Sequence, residues 1–262
     1  MVKTQSDPQH STLPETASGA PRRVRIDRLL VERGLFESRA RAQAALAAGL
    51  VRVDGVVVAK PSTEVEADAR IEAADVHDFV SRGALKLTAG LDAFGIAPAG
   101  MVALDVGAST GGFTEVLLRR GARRVYAVDV GRDQFHPRLA VRPEVRLMEG
   151  TDIRALGRAA IPEPVDLVVV DVSFISLALV LPAALAFAGP KAALVALVKP
   201  QFEAGRAAVR KGVVRDAAVH EAVCARVAGE IGVLGWRLLG RIPSPIEGGD
   251  GNREFLVGAG RP

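Results

Sequence analysis

Residues 104 to 121, LDVGASTGGFTEVLLRRG, constrain the fold of this chain more than any other stretch. An apolar run from Met101 to Val106 leads into a cluster of small residues, and a run with helical spacing follows from Phe113 to Gly121. This pattern predicts a buried strand, a tight loop and a helix. Glycines let a backbone approach a ligand closely, and the start of a helix presents free N–H groups and a positive dipole end. The stretch therefore predicts a site for a nucleotide-like or carboxylate-bearing ligand.

The glycine-rich loop alone does not identify the ligand, because dehydrogenases, phosphate-binding loops and methyltransferases all have one. The loop does not end in Gly-Lys-Ser or Gly-Lys-Thr, which argues against a phosphate-binding loop. It also lacks the dinucleotide pattern, since Ser109 stands where a glycine is required between Gly107 and Gly112. The next predicted strand, residues 123 to 130, carries Asp129 at its end. That carboxylate is placed to bind the ribose diol of a dinucleotide or of S-adenosylmethionine, or else only caps its loop.

Strands and helices alternate from residue 83 onward, which predicts a doubly wound α/β sheet. The most apolar predicted strand, within residues 165 to 176, ends in Asp171 and is typical of a buried parallel strand. Ligands of open α/β sheets bind outside the carboxyl ends of the strands. We therefore expect Asp105, Asp129 and Asp171 to face one crevice.

Three further charged residues are candidates for the same site. Asp152 follows the predicted strand Val145 to Met148 and can accept a hydrogen bond from the exocyclic amine of an adenine. Lys199 ends a buried apolar strand, where its charge must lie in a cleft or in water, so it is a candidate for a functional lysine. Lys86 lies on a predicted amphipathic helix before the glycine loop, although a helix lysine is more often solvated.

Composition limits the classes of function. With 49% hydrophobic and 24% charged residues, the 262-residue chain is typical of a globular protein, and 4% aromatic residues argue against a stacking platform for single-stranded nucleic acid. A net charge of +4 and an isoelectric point near 9.6 favour an anionic partner without requiring one. The single cysteine, Cys224, can form no internal disulfide, which fits a reducing, cytoplasmic location. Residues 1–21 lack the apolar core of a signal peptide and are predicted to be a disordered tail.

Residues 172 to 190 carry no charge, as a membrane span would. Pro182 and Gly189-Pro190 interrupt the segment, and it falls between two strand-like runs. These features favour a buried crossover helix, so we expect no membrane association.

Residues 24 to 72 are predicted to form a compact unit with two helices, the second capped by Ser38, and a hairpin at Asp54-Gly55. Residues 22 to 52 include eight arginines and three acidic residues. The acids are too few to pair the arginines, which favours phosphate contacts, although a solvated face with Arg–Glu pairs is the alternative for any single arginine. The candidate RNA-binding residues on the predicted helix faces are Arg25, Arg28, Arg39 and Arg41.

Two sets of motifs carry resemblances to known families. RIDRLL, SRARAQAAL and GLVRVDGVVV resemble the small αL RNA-binding domain of a ribosomal small-subunit protein and of pseudouridine synthases, which implies a surface that recognises folded RNA by shape and backbone. Residues 83 to 262 resemble the FtsJ-type ribose methyltransferases through SRGALKL, LDVGASTGGFT, VDVG, VVVDVSFIS, LVKPQFEAG and GNREF. With both parts together, the chain resembles the TlyA family of hemolysin-named rRNA 2'-O-methyltransferases.

The resemblance implies a Rossmann-like α/β sheet of an S-adenosylmethionine-dependent methyltransferase with a small N-terminal α+β RNA-binding domain. The expected organisation is a tail over 1–21, an RNA-binding domain over 22–74, a linker over 75–82 and a methyltransferase domain over 83–262. The family's catalytic tetrad would fall on Lys86, Asp171, Lys199 and Glu254. Contacts to S-adenosylmethionine, the implied cofactor, would fall on Gly107, Ala108, Ser109, Gly111, Gly112, Phe113, Asp129 and Asp152. The implied partner is rRNA or a ribosomal subunit, and no metal is implied.

A ribose 2'-hydroxyl is a poor nucleophile at neutral pH, so its attack on a methyl sulfonium needs alignment and a group that takes or offsets its proton. Lys199 is the candidate. It either becomes neutral through desolvation and acts as a base, or stays cationic beside Asp171 and Glu254 and stabilises developing alkoxide charge. Two other functions stay open: a membrane-active cytolysin, suggested by the family's older name and by residues 172 to 190, and a non-catalytic RNA-binding ribosome factor.

Overall fold

The structure is a computed structural model that describes residues 22–36, 38–73 and 78–262. The predicted tail over residues 1–21 lies outside the described residues, as do residues 74–77, where the predicted RNA-binding domain meets the predicted linker. The chain divides into two compact units, Met1–Asp78 and Phe79–Pro262.

The described part of the first unit combines helices with short strands. Its elements are β1 (Arg23–Arg25), α1 (Ile26–Glu32), α2 (Arg39–Ala47), β2 (Val51–Val53), β3 (Val56–Val57), β4 (Glu64–Glu66) and β5 (Ile71–Ala73). The predicted hairpin is confirmed, because β2 and β3 pair antiparallel around Asp54 and Gly55, which both have positive φ. The predicted cap is also confirmed: Ser38 Oγ accepts a hydrogen bond from the Arg41 N–H at 3.3 Å.

The pairing of β1 with β4 is absent from the sequence prediction. Each strand has three residues, RVR and EVE, so a single apolar residue gives no readable alternation. The register sets Arg23 opposite Glu66 and Arg25 opposite Glu64, which places opposite charges across the pair. The prediction that Arg25 lies on a helix face is therefore wrong: it ends β1, one residue before α1 begins.

The second unit is a sheet covered by helices. Its helices and strands are α3 (Gly83–Phe94), β6 (Val102–Val106), α4 (Gly112–Arg119), β7 (Arg124–Val128), α5 (Pro137–Ala140), β8 (Val145–Met148), β9 (Val165–Val170), α6 (Leu177–Leu185), β10 (Ala188–Val198), α7 (Pro200–Glu203), α8 (Ala217–Val233), β11 (Arg237–Pro243) and β12 (Phe255–Gly260). The seven strands lie in the order β11-β12-β10-β9-β6-β7-β8.

Strands β10, β9, β6, β7 and β8 run parallel, whereas β12 is antiparallel to both of its neighbours. The carboxyl ends of the parallel strands and the start of β12 therefore meet at one edge of the sheet. The predicted doubly wound α/β sheet is confirmed. Residues 79–82, which the sequence assigned to a linker, belong to this unit: the Val80 N–H donates to Glu115 Oε2 at 2.6 Å, and the Arg119 guanidinium lies 4.4 Å from the Phe79 ring centroid.

Apolar clusters lie on both faces of the sheet. Leu87 of α3 and Leu117 of α4 are in one cluster, and Leu181 of α6 and Val227 of α8 are in the other. The charge-free segment is confirmed as a buried crossover helix, α6. Pro182 does not break it, because this residue lies on the exposed face, where water can bond the carbonyl that a proline leaves free. Among the helices of the described residues, none combines the length and the apolar character that crossing a membrane requires.

Candidate active site

The glycine loop between β6 and α4 has a backbone that few residues can adopt. Gly107, Ser109 and Gly111 all have positive φ, at 86°, 45° and 96°. A Cβ at Gly107 would collide with the carbonyl of Asp171, and a Cβ at Gly112 would collide with Ser81 Oγ. The loop therefore lies in direct contact with the segment after β9 and with the segment before α3.

Asp129 holds the glycine loop against the segment after β7. Its Oδ2 accepts a hydrogen bond from the Ser109 N–H at 2.7 Å, and its Oδ1 accepts one from the Gly131 N–H at 2.7 Å. Both oxygens keep a further lone pair. Asp129 thus caps its loop and still presents acceptors at the wall of a cavity.

Two cavities flank the loop and share Gly107, Ser109 and Asp171 in their walls. The larger cavity, of about 490 Å³, is also lined by Asp129 and Asp152. The smaller, of about 260 Å³, is lined further by Lys86, Ala108, Gly112, Phe113 and Gly248. Gly111 lines neither, because its missing side chain leaves room for Phe135 and Leu139.

Two lysine–carboxylate pairs lie beside the smaller cavity. Lys86 Nζ lies 2.5 Å from Glu254 Oε2, and both side chains are nearly buried, with exposed fractions of 11% and 3%. Lys199 Nζ lies 2.6 Å from Asp171 Oδ1 and also donates to Ser173 Oγ at 2.9 Å. Burying a charged side chain costs free energy even when it is paired. Two nearly buried ion pairs beside one cavity therefore indicate a functional site rather than a contribution to packing.

The four residues of the expected tetrad are thus brought together, although 168 positions separate Lys86 from Glu254. Lys86 and Asp171 line the same cavity. Glu254 lies directly against Gly248, which also lines it, and Lys199 reaches the cavity through Asp171.

Asp105 is the exception to the expected crevice of three aspartates. It lies inside β6, fully buried, and it lines neither cavity. Its Oδ2 accepts a hydrogen bond from Thr114 Oγ1 at 2.7 Å, while Oδ1 has no hydrogen-bond partner among the described residues. The pKa of Asp105 is raised to about 7, mainly by burial and to a smaller extent by the nearby Asp171 and Asp129 carboxylates, while the hydrogen bond from Thr114 opposes the increase. The expectation failed because Asp105 points under α4 rather than out of the strand end.

Ser173 and Phe174 are site residues that the sequence analysis did not single out. Phe174 is 90% exposed and borders the larger cavity, and its backbone has φ of 63°. Their signal in the sequence was a polar and an aromatic residue, two and three positions after Asp171, in the otherwise apolar run DVSFIS.

The four expected RNA-binding arginines differ in their surroundings, and Arg41 of α2 is half-buried. Arg25 and Arg39 both bond to Asp27, with Nη2 to Oδ2 distances of 3.0 and 2.7 Å, and Asp27 is fully buried. The Arg25 guanidinium holds the pKa of that carboxyl well below its usual range. Arg28 is exposed and forms no ion pair with any residue that the structure describes.

Comparison with known proteins identifies the family. The FtsJ-like methyltransferase family matches residues 79–261, and the S4 domain family matches residues 24–71. A 16S/23S rRNA (cytidine-2'-O)-methyltransferase TlyA from Mycobacterium tuberculosis is 47% identical over 239 residues, which cover 90% of this chain and 89% of that protein. The chain belongs to the TlyA family.

Other relatives carry the family's older name. Hemolysin A of Brachyspira hyodysenteriae is 36% identical over 236 residues, which cover 89% of this chain and 98% of that protein. The solved structure of a hemolysin-named protein from Streptococcus thermophilus is 39% identical, with a TM-score of 0.73, and the match covers 93% of this chain and 90% of that one. The TlyA-family resemblance read from the motifs is confirmed, and it extends over both units.

Proposed function

We propose that this protein uses S-adenosylmethionine to methylate a ribose 2'-hydroxyl of rRNA, with the S4 unit docking the RNA. The observation that carries the proposal is the pair of lysine–carboxylate contacts, Lys86–Glu254 and Lys199–Asp171, beside the glycine loop of a methyltransferase fold. Because the substrate is ribosomal, we propose that the protein acts in the cytoplasm.

The walls of the two cavities fit the proposed cofactor. In the larger cavity, Asp129 is suited to a ribose diol and Asp152 to an adenine amine. Asp152 is already paired with Arg154 at 2.6 Å, which keeps it ionised and able to accept a further hydrogen bond. The loop of Gly107 to Gly112 lets a ligand approach the backbone. When bound, S-adenosylmethionine supplies an electrophilic methyl group on a sulfonium.

The charged side chains then act on the attacking hydroxyl. Lys199 Nζ is held between Asp171 and Ser173, which fixes its direction. We propose that Lys199 acts as a cation that orients the 2'-oxygen and offsets the negative charge that develops there. The hydroxyl proton leaves for water as the new O–C bond forms and the bond between the methyl group and sulfur breaks, with its electron pair going to sulfur. Lys86, held by Glu254, is proposed to position the same ribose.

The S4 unit is the proposed docking surface for RNA. Arg28 is exposed and has no ion-pair partner among the described residues, and Arg25 and Arg39 keep 43% and 54% of their side chains exposed while they bond to Asp27. An arginine has several N–H groups, so one side can bond to a carboxylate while another contacts a phosphate.

The direct test is methyl transfer from labelled S-adenosylmethionine to purified ribosomal subunits, with the modified nucleotides mapped by mass spectrometry. We expect 2'-O-methylation at defined positions. Base methylation, or no transfer despite cofactor binding, would contradict the proposal. Calorimetry distinguishes the enzyme from a non-catalytic RNA-binding factor, because only the enzyme is expected to bind S-adenosylmethionine. A liposome assay distinguishes it from a cytolysin, because only a cytolysin is expected to partition into liposomes.

A further inference from the structure

Two chain segments carry the Lys199–Asp171 pair, and they contact each other at several places. One is residues 171–176, between β9 and α6, and the other is residues 199–203, which contains α7. At one end Lys199 contacts Asp171 and Ser173 at 2.6 and 2.9 Å. In the middle, the ring centroids of Phe174 and Phe202 lie 4.9 Å apart.

Glu203 joins the two segments at the other end. Its Oε2 accepts a hydrogen bond from Ser176 Oγ, and its Oε1 accepts one from the Leu177 N–H, both at 2.7 Å. Leu177 is the first residue of α6, where a carboxylate also interacts favourably with the helix dipole. Glu203 therefore fixes where α6 starts, and so where the segment after Asp171 must end.

The Glu203 carboxylate is buried, with only 2% of its side chain exposed. A buried carboxylate is costly unless it is paired, and here Arg226 of α8 supplies the charge at 2.9 Å. Arg226 Nη2 also donates to the backbone carbonyl of Glu203 at 3.0 Å, and its Nη1 bonds to Glu230 at 2.6 Å. Glu203 thus connects α6, α7 and α8.

The segment that Glu203 fixes contains an unfavourable backbone conformation. Phe174 has φ of 63°, in the left-handed region that an aromatic residue rarely adopts. Such a conformation persists only where the surroundings impose it. Without the bonds at Ser176 and Leu177, we expect residues 171–176 to relax and Asp171 to move relative to Lys199.

We propose that Glu203 is a positioning residue for methyl transfer: it holds residues 171–176 against α7 so that Asp171 and Lys199 stay in contact. This inference rests on the proposed function. Glu203 lines neither cavity, so it acts through Asp171 and Lys199 rather than on a substrate.

The test compares Glu203→Gln and Glu203→Ala with Glu230→Gln, which removes the other carboxylate that Arg226 binds. Methyl transfer is measured per cofactor-binding site, counted by calorimetry, so that unfolded protein does not contribute. We expect kcat of Glu203→Ala to fall about 10- to 100-fold, because small misplacements of reacting groups have effects of that size. Glu203→Gln keeps an oxygen that accepts the hydrogen bond from the Leu177 N–H, so its kcat should lie between those of Glu203→Ala and the wild type. The kcat of Glu230→Gln should match that of the wild type.

Two readouts separate positioning from a purely structural role. Positioning predicts KM values for cofactor and RNA near those of the wild type, together with a changed pH dependence of kcat. Lower thermal stability with an unchanged kcat per site and pH profile would overturn the inference. If Glu203→Ala does not fold, the Gln variant decides. A wild type that transfers no methyl group refutes the proposed function and this inference with it, whereas an active wild type with unaffected Glu203 variants refutes only the role of Glu203.

Discussion

Two aspartates, one in each unit, bind a cation at close range but in different surroundings. Asp27 is fully buried and accepts hydrogen bonds from Arg39 at 2.7 Å, Arg25 at 3.0 Å and Gln43 at 3.0 Å. Asp171 has 20% of its side chain exposed, binds Lys199 at 2.6 Å and lines both cavities.

We infer that the cluster at Asp27 holds two exposed arginines in place, whereas the pair at Asp171 acts directly at a cavity. The donors around Asp27 are Arg25 of β1 and Arg39 and Gln43 of α2. Two of them are guanidinium groups with several N–H groups each, so the Asp27 carboxylate has little capacity left to accept a hydrogen bond from another partner. Lysine is a single point charge, so the pair at Asp171 leaves hydrogen-bonding capacity that faces a cavity. The distances from carboxylate to cation are similar in the two clusters. They differ in how many hydrogen bonds the carboxylate accepts and in how much of its side chain is exposed.

The largest expected effect is at Lys199. Lys199→Ala should lower the rate of methyl transfer by about 100-fold or more, because it removes the group that orients the attacking hydroxyl and offsets its charge. RNA affinity should stay close to that of the wild type. Lys191→Ala is the control, since Lys191 is exposed near the start of β10, far along the same strand from its carboxyl end. Full activity of the Lys199 variant would show that the Lys199–Asp171 pair has no role in methyl transfer.

Asp27→Asn should act on stability instead. It weakens charge-assisted hydrogen bonds in a buried site, so the free energy of unfolding should fall by about 1–3 kcal/mol at pH 7, with kcat unchanged. Arg25 lowers the pKa of Asp27 in the folded state, so the stabilisation is present above the ordinary value of 3.8 and is lost as pH falls through the lowered value. Calorimetric unfolding of both proteins over a pH series should therefore converge in acid. A difference that grows in acid would be inconsistent with this sign.

Asp105 extends the comparison to a buried carboxylate without a cation. Its folded-state pKa is raised to about 7 from 3.8, so between these values the unfolded state ionises while the folded state holds its proton. Wild-type stability should decline with rising pH across this window, by at most about 1.4 kcal/mol per pH unit. Asp105→Asn cannot ionise, so its stability relative to the wild type should improve from pH 4 to pH 7. Parallel stability curves for the two proteins would show that Asp105 does not titrate there.

The smallest effect is expected for Arg28. Arg28→Ala should weaken RNA binding a few-fold, equally across sequences, and reduce the slope of log affinity against log salt by about 1. Arg70→Ala is the matched control, because Arg70 lies in the same unit but outside the arginine-rich residues 22 to 52, and it is paired with Glu72 at 2.9 Å. Equal losses for the two variants, measured by RNA titration at several salt concentrations, would argue against a specific role for Arg28.

Much of the second unit could be predicted because its signals are local or follow from sheet geometry. Strand β8 begins and ends as the apolar run indicated, at Val145 and Met148. Asp171 and Lys199 follow parallel strands, so their proximity was a consequence of topology. The placement of Lys86 beside Glu254 came only from the family resemblance, since residue spacing carries no information about a contact between α3 and the start of β12.

Other features could not be predicted because they depend on partners far away in the chain. The β1–β4 pair joins segments 41 positions apart, and the charged residues that face each other across it have the sequence pattern of solvent-exposed residues. In the sequence Asp27 is one acid among many arginines, and nothing local showed that it would be buried and bonded to two exposed arginines. Asp105 lies inside β6, in register with Ala127 and Val169 and thus two positions before the level of Asp129 and Asp171, so α4 covers its side chain.

Strand β12 inserts between β10 and β11 and runs against the parallel strands, so Glu254 reaches the shared edge from the opposite chain direction. Lys86 of α3 therefore has its counter-ion only while β12 is paired in the sheet. A substitution that loosens this strand would leave a nearly buried lysine without its carboxylate, at a cost in free energy.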